Sequence, residues 1–320
     1  MNAVPPSILV TGGAGYLGSQ LCLSLRKGGY PVYCLDHLYE EFVKYAFEKE
    51  DVNAVQGSVL DAELINTLLP FIDVVIHASV YHESLPGETL KNCSPDRDIL
   101  YRNNVAAVKF LLKASEKHKV QKFIFLSSYY VYGHGKQSVT EEDEPEPDTI
   151  RGILKKEAEQ ICLDSADSGT DIVVLRLPIL YGPSLNMRWE SVVHRFIKTI
   201  LTDESPVIKA WQNETRNFIA IDDAIEVIKE AITSRTRDVL FNVVGCDDFY
   251  IVDLARLIIN QFQLIENEIL QLKHREQEIP YPLFRSCRFD QVFQNIPYRK
   301  LNGYELNKLI ETGRRTLGSQ

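Results

Sequence analysis

The sequence predicts an α/β protein in which helices cover both faces of a doubly wound parallel sheet. The first observation is a buried strand pattern from Ile8 to Thr11, followed by three glycines and an apolar pattern of helical spacing. The second is that apolar runs and helical stretches alternate through the first half of the chain. Repeated units of this length form parallel sheets, whose right-handed crossovers place a ligand crevice at the carboxyl ends of the strands.

The alternation predicts the elements in order along the chain. Strands are expected at residues 8–11, 32–35, 52–55, 73–78, 122–127 and 171–177. Helices are expected from residue 20 and at residues 39–50, 62–69, 99–118 and 152–166, with loops at 81–96 and 132–149. Beyond Gly182 the pattern is mixed, with helices at 190–201, 222–233 and 251–262 and short strands near Val207, Phe218 and Leu240. We therefore expect a Rossmann-type domain over residues 1–178 and a smaller α+β lobe over 179–320, with some exchange of chain between them.

Composition narrows the possible functions. The chain has 320 residues, a mass of 36.5 kDa and a hydrophobic fraction of 45%, which is ordinary for a globular protein. Its net charge of −9 argues against nonspecific nucleic-acid binding, and the lack of an 18-residue apolar run argues against a membrane partner. The N-terminus has no signal-peptide pattern, and the six cysteines form no Cys-x-x-Cys pair. We expect a cytoplasmic protein with reduced thiols and no metal site.

The glycines after the first strand have the spacing of a phosphate-binding loop. Gly12 permits a tight turn, Gly15 lets a pyrophosphate approach the backbone, and Gly18 lets the helix pack closely on the sheet. Tyr16 and Leu17 lie between Gly15 and Gly18, just before the predicted helix, whose free N–H groups and dipole attract phosphate. These five residues are therefore candidate cofactor contacts.

Asp36 ends the second strand pattern, 18 residues after the last of these glycines. A carboxylate at that position accepts hydrogen bonds from the ribose hydroxyls of adenosine and repels a 2′-phosphate. The loop and the acid together predict a dinucleotide site that prefers NAD to NADP. The alternative interpretation is a plain glycine turn with an unrelated acidic residue nearby.

With the motifs that follow, the chain resembles the extended short-chain dehydrogenases/reductases, and in particular the NAD-dependent epimerases and dehydratases of nucleotide sugars. The resemblance spans nearly the whole chain and is carried by residues 11–18, 36, 75–78, 103–105, 125–133, 155–159, 176–183 and 215–223. It implies bound NAD, a nucleotide-sugar-like substrate, and a homodimer paired through the helices around residues 99–118 and 152–166.

The resemblance also implies a reaction centre composed of a Ser or Thr, a Tyr and a Lys. Ser128 and Lys155 match the first and the last, but Arg151 stands where the family has its Tyr. A guanidinium stays protonated and cannot act as the general base. We therefore expect either an enzyme with an atypical centre or a catalytically silent protein that binds NAD or a nucleotide sugar. The candidates for a replacement acid/base are Tyr129, which follows Ser128 directly, Tyr130, His82, Glu83 and His134.

The remaining site residues follow from the resemblance alone. Further cofactor contacts are implied for Ser58, Val59, Ala78, Ser79, Lys155 and Pro178. Substrate contacts are implied for Arg216, which matches a position paired with the substrate diphosphate, and for Tyr181.

Overall fold

A seven-stranded parallel sheet forms the centre of the computed structural model, which describes residues 4–81, 97–166, 169–211, 214–236, 239–273, 281–293, 296 and 298–318. Its strands are β1 (Ile8–Thr11), β2 (Val32–Asp36), β3 (Asn53–Gln56), β4 (Val74–His77), β5 (Lys122–Ser128), β7 (Asp171–Leu177) and β11 (Leu240–Asn242). The order across the sheet is β3, β2, β1, β4, β5, β7, β11, and all neighbours are parallel. The predicted α/β fold is confirmed.

Helices cover both faces of this sheet, which explains why its central strands are mainly apolar and buried, whereas the edge strand β3 is partly polar and exposed. One face packs against α1 (Tyr16–Lys27), α2 (Glu41–Lys49) and α8 (Ile221–Thr233). The other packs against α3 (Ala62–Leu68), α5 (Ala107–Lys117) and α6 (Ile150–Asp164). Successive strand residues alternate between the two layers: Ile8 and Val10 join the first, and Leu9 joins the second.

The helix expected over residues 99–118 differs from the prediction. It consists of a short α4 (Arg97–Tyr101), a π-helical turn at 102–106, and then α5. Within this turn the Asn104 side chain donates to the carbonyl oxygens of Tyr81 (3.1 Å) and Leu100 (2.9 Å) and accepts from the Tyr81 N–H. The turn therefore ties the segment that leaves β4 to the start of α5, a local bond pattern that apolar periodicity does not report.

A second set of elements lies beyond residue 178. A three-stranded sheet contains β8 (Ile179–Tyr181), β10 (Thr215–Ala220) and β12 (Asp247–Tyr250). Two-stranded pairs join β9 (Ile208–Trp211) to β13 (Leu270–Lys273) and β6 (Ser138–Val139) to β14 (Leu283–Phe284). The other helices are α7 (Val192–Thr202), α9 (Ile251–Gln261), α10 (Glu266–Ile269), α11 (Phe289–Val292) and α12 (Gly303–Leu317).

The polypeptide passes between these two groups of elements more than once. Helix α12, which the sequence analysis did not predict, packs Leu306 and Leu309 into an apolar cluster with α7 and α9. Helix α8 and strand β11, by contrast, return to the layers of the seven-stranded sheet. A domain boundary at residue 178 stays a prediction.

The described residues contain no candidate membrane span and no candidate metal cluster. None of the helices there is long and apolar enough to cross a lipid bilayer. No cluster of three or more His, Cys, Asp or Glu side chains in those ranges could hold a metal ion. The five cysteines that the structure describes are free thiols, and Cys93 lies outside the described residues.

Candidate active site

The glycine loop connects β1 to α1 at the carboxyl edge of the sheet. Gly12 has a φ of +70°, and a Cβ there would lie 2.5 Å from the Cα of Ser79. A Cβ on Gly18 would collide with the Gly12 carbonyl. Both glycines are thus required by the fold itself. Among the described residues, leaving out its chain neighbours, a Cβ on Gly15 would meet only the Gly12 oxygen, at 3.3 Å. The space above Gly15 is therefore open to a ligand lying on the loop.

Asp36 lies at the end of β2, beside this loop. Its Oδ2 accepts from the Ala14 N–H at 3.0 Å, and its Oδ1 accepts from the His37 N–H at 2.8 Å. One carboxylate is thereby held next to the first turn of α1, where the ribose of an adenosine phosphate would lie. The loop, the helix N-terminus and the carboxylate fit an adenine dinucleotide.

The other predicted cofactor contacts occupy neighbouring strand ends. Ser58 and Val59 follow β3, Ala78 and Ser79 follow β4, and Pro178 follows β7. The Ala78 N–H donates to the Thr11 oxygen at 3.0 Å, which holds the β4 exit against the glycine loop. Because parallel strands end at one edge, residues far apart in sequence border a single crevice.

Tyr16 and Leu17 lie in the first turn of α1, which begins four residues earlier than predicted. The Tyr16 hydroxyl donates to the Gly182 oxygen at 2.9 Å, and Leu17 packs against the apolar layer between the sheet and α1, α2 and α8. Only the backbone of this turn is therefore free to face a phosphate.

Lys155, on α6, reaches the end of β5, the strand whose last residue is Ser128. The Lys155 ammonium donates to the Leu126 oxygen at 2.6 Å and lies 4.5 Å from the centre of the Phe125 ring. Burial lowers the pKa of Lys155 to about 8, although Glu159 acts in the opposite direction. The Ser128 Oγ accepts a long hydrogen bond of 3.4 Å from the Tyr130 N–H. The hydroxyl proton of Ser128 remains available for a ligand.

Arg151 lies in the first turn of α6, four residues before Lys155. Its side chain is solvent-exposed. Partial desolvation by the surrounding protein nevertheless lowers its pKa, and the positive charge of Arg188 lowers it further. Tyr130 and Glu190 act on its charge in the opposite direction. A guanidinium that remains protonated can bind an anion here but cannot remove a proton.

The candidate acid/base residues occupy different environments. Tyr129 is 4% exposed, and its hydroxyl has no hydrogen-bond partner among the described residues. His134 pairs with Asp148 and lies 3.6 Å from the Tyr281 ring centre. Tyr130 is only half-buried and lies close enough to Arg151 and Arg216 to influence both charges. His82 and Glu83 lie outside the described residues.

Arg216 reaches the same aromatic cluster from β10. Its guanidinium lies 3.8 Å from the Tyr281 ring centre and forms an ion pair with Glu214. The side chain is 8% exposed, so its charge is held in place by stacking and pairing. Sequence reasoning missed Tyr281, because 65 residues separate it from Arg216.

Tyr181 lies in a different environment from the one predicted. Its ring is fully buried within the apolar cluster of the second group of elements. Its hydroxyl donates to the Arg299 oxygen at 2.9 Å. A packing role accounts for these contacts, and its substrate contact stays a prediction.

The segment between β8 and α7 also borders the crevice, and the sequence analysis assigned it no site residue beyond Tyr181. Asn186 donates to the Ala14 oxygen at 3.0 Å, and the Ser184 hydroxyl donates to the Tyr16 oxygen at 2.6 Å. These bonds hold Ser184 and Asn186 against the glycine loop and the first turn of α1. Irregular segments carry no periodic signal, so only the tertiary contacts identify this one.

Comparison with known proteins agrees with this geometry. Residues 8–243 match the NAD dependent epimerase/dehydratase family. The chain is 28% identical over 311 residues to a UDP-N-acetyl-alpha-D-glucosaminuronate decarboxylase of Bacillus cytotoxicus, covering 95% of this chain and 91% of the relative. It is 30% identical over 232 residues to an uncharacterised UDP-glucose epimerase of Bacillus subtilis, covering 69% of this chain and 71% of the relative.

Solved structures resemble the fold along almost its whole length. The UDP-glucuronic acid 4-epimerase of Bacillus cereus, in complex with UDP-glucuronic acid and NAD, aligns with a TM-score of 0.83 at 23% identity, over 97% of this chain and 99% of that one. A dTDP-glucose 4,6-dehydratase of Streptomyces venezuelae with NAD bound gives a TM-score of 0.82 at 19% identity, over 98% of each chain. The chain belongs to the NAD dependent epimerase/dehydratase family.

Proposed function

We propose that the protein is an NAD-dependent enzyme that acts on a nucleotide-linked sugar, with Arg151 in place of the Tyr found in the family's reaction centre. The observation that carries the proposal is that Ser128 ends β5, that the Lys155 ammonium bonds to the Leu126 oxygen of the same strand, and that Asp36 bonds to the glycine loop at the carboxyl edge of the same parallel sheet. The relatives named above, which include a decarboxylase and an epimerase, are described as acting on UDP-linked sugars. Their reactions differ, so the outcome of the reaction here is left open.

The crevice fits NAD through groups that the chain provides. The amides at the start of α1 would hold the pyrophosphate, and Asp36 would accept the hydroxyls of the adenosine ribose. When bound, NAD supplies reversible hydride acceptance from a sugar carbon. Lys155, with its pKa lowered to about 8 by burial, would donate a hydrogen bond to the second ribose.

The chain itself must then move a proton at the sugar oxygen. Ser128 can donate a hydrogen bond to that oxygen. Tyr130 is the candidate we favour for the proton transfer, since it is half-buried and lies near two guanidiniums. Tyr129 is less suitable because its hydroxyl is enclosed by the rings of Tyr130, Tyr281 and Phe284.

A silent binding protein is the second candidate function, and the presence of Arg151 is the observation that favours it. Measuring NADH absorbance in purified protein during addition of UDP-, GDP- and dTDP-sugars distinguishes the two functions. Turnover or a bound NADH signal with any sugar supports the enzyme. Tight NAD binding with no response across the panel supports the binding protein.

Arg151→Tyr provides a second test. If the variant gains hydride transfer, Arg151 represents the loss of the family's base. If the variant loses an existing activity while its melting curve is unchanged, Arg151 has its own role with the substrate. Loss of activity together with a lower melting temperature would instead mean that the substitution disturbs the fold.

We also propose that two subunits pair through α5 and α6, in a cytoplasmic protein. Ile99 and Tyr101, in the short helix that leads into α5, are 41% and 48% exposed, which leaves two apolar side chains beside α5 available to a partner subunit. Light scattering after size exclusion measures the mass directly. A mass near 36.5 kDa at micromolar concentration would contradict the dimer.

A further inference from the structure

The turn that follows β8, residues 182–186, is bonded to the glycine loop and the first turn of α1 by side chains from both segments. The Tyr16 hydroxyl donates to the Gly182 oxygen at 2.9 Å, and the Ser184 hydroxyl donates to the Tyr16 oxygen at 2.6 Å. Asn186 Nδ2 donates to the Ala14 oxygen at 3.0 Å. These bonds join residues at least 166 positions apart in the sequence, so the segment beyond β8 holds the backbone of the loop.

The bonds to Tyr16 lie in the protein interior. Ser184 and Ser19 are both buried, and their hydroxyl oxygens lie 3.2 Å apart. Because the Ser184 proton is engaged by the Tyr16 oxygen, Ser19 is the donor between the two hydroxyls. The rings of Tyr16 and His194, on α7, pack edge to face with their centres 5.3 Å apart. The orientation of the Tyr16 peptide group is therefore set by side chains from a distant segment.

The carbonyl that Ser184 contacts belongs to a peptide group that faces the cofactor position. The Tyr16 oxygen shares its peptide group with the Leu17 N–H. The first helical bond of α1 runs from the Ser19 N–H to the Gly15 oxygen at 2.9 Å. The Leu17 N–H precedes that bond, and N–H groups at this position of a helix are the ones that bind phosphate.

Asn186 acts on the turn of the loop in a similar way. The Ala14 oxygen, which accepts its hydrogen bond, shares a peptide group with the Gly15 N–H. That N–H closes the turn on the Gly12 oxygen at 3.2 Å. Asn186 thus fixes the peptide group directly before the open space above Gly15.

We propose that Ser184 and Asn186 are positioning residues for the cofactor, which set the direction and the strength of the amides that bind the NAD pyrophosphate. A hydrogen bond donated to the oxygen of a peptide group polarises that group and makes its N–H a stronger donor. Both side chains act through the loop backbone. The proposal requires NAD at the glycine loop and applies equally to an enzyme and to a silent binding protein.

Displacement of the fluorescent analogue etheno-NAD measures the affinities for NAD, ADP and adenosine without requiring turnover. NAD and ADP carry a pyrophosphate, whereas adenosine reaches Asp36 without one. We expect Ser184→Ala and Asn186→Ala each to weaken NAD and ADP by at least about threefold, and the double variant by at least about tenfold, as for one and two hydrogen bonds. The affinity for adenosine should be unchanged. Ser184→Thr keeps the hydroxyl and should retain the affinity for NAD.

Two matched controls remove the same kinds of bond elsewhere. The buried Ser115 hydroxyl donates to the Leu111 oxygen at 2.8 Å within α5. Asn53 Nδ2 donates to the Val32 oxygen at 3.1 Å, where β2 and β3 begin. Ser115→Ala and Asn53→Ala should lower the melting temperature while the affinities for all three ligands stay the same.

Three results would overturn the inference. Equal weakening of NAD, ADP and adenosine would mean that the site variants disturb the whole crevice. Unchanged NAD affinity in the double variant would mean that these bonds only join two parts of the fold. Weaker NAD binding in the control variants as well would assign the effect to lost stability. If the folded wild type binds no etheno-NAD, the cofactor site itself fails, which is a different result from retained binding in the variants.

Discussion

The carboxylate of Glu159 and the guanidinium of Arg176 form an ion pair in the interior, and each side chain is only 2% exposed. Arg176 Nε contacts both Glu159 oxygens at 3.1 Å, and its Nη2 contacts Oε2 at 2.7 Å. Ser127 donates to the same carboxylate, and Arg176 Nη1 donates to the Tyr132 hydroxyl at 2.6 Å. The network locks α6 against β5 and β7, and thereby fixes the helix that carries Lys155.

Glu159→Gln should destabilise the protein by about 3 kcal/mol or more, because it leaves a buried guanidinium without a counter-charge. Urea unfolding followed by circular dichroism measures the change. Glu157→Gln is the matched control on the exposed side of the same helix, where the effect should stay within about 0.5 kcal/mol. Equal effects of the two substitutions would contradict the importance of the pair.

Gly15→Val should reduce NAD affinity by at least about a hundredfold while the melting temperature changes little. The valine side chain would occupy the space above the loop, where the only protein atom near its Cβ is the Gly12 oxygen at 3.3 Å. Fluorescence titration with NAD measures the affinity. Gly28→Val, at the other end of α1, places its Cβ 3.2 Å from a backbone oxygen and is the steric control. Retained affinity in Gly15→Val would refute the phosphate-loop interpretation.

Stability should fall with acid because of His77. Burial, and to a smaller extent the positive charge of Lys155, lower the pKa of His77 to about 3 in the folded protein. In the unfolded chain the pKa is about 6.5. Between these values only the unfolded chain binds the proton, so stability present at neutral pH is lost as the pH falls. At pH 5 the loss from this one group is about 2 kcal/mol relative to pH 7.

His77→Asn should remove that share of the pH dependence, whatever its effect at pH 7. Urea unfolding of both proteins at pH 7 and pH 5 gives the comparison. His194, whose pKa burial lowers to about 4, remains in both proteins and contributes equally. An identical loss between the two pH values in wild type and variant would show that His77 does not titrate in this way.

Tyr130→Phe should lower kcat at least about a hundredfold for whichever sugar is turned over, since general acid/base groups contribute this much. Tyr129→Phe is the matched control one residue earlier. The Tyr129 hydroxyl is buried without a partner among the described residues, so its removal should leave stability equal or higher. If Tyr129→Phe abolishes turnover and Tyr130→Phe does not, the roles of the two residues are exchanged.

The sequence alone predicted the elements whose signals are local. The run Asp171 to Leu177 was predicted with the bounds that β7 has, because a strand buried on both faces is continuously apolar. Helix α12 was not predicted, although Leu306 and Leu309 have helical spacing. Asn104 was recognised only as part of a motif, whereas its side-chain bonds to Tyr81 link a π-helical turn to the segment that leaves β4.

The glycine loop and Asp36 could be predicted from sequence because each depends on a short, contiguous stretch, and only α1 and β2 separate them along the chain. The reaction centre could not be completed in this way. Whether Tyr129 or Tyr130 faces the crevice depends on how Tyr281 and Phe284 pack, more than 150 residues later. The contacts of Ser184 and Asn186 with α1 and the glycine loop depend on a segment that no periodic pattern describes. Local propensity sets the elements and their termini, and only packing between distant segments sets which side chains share one space.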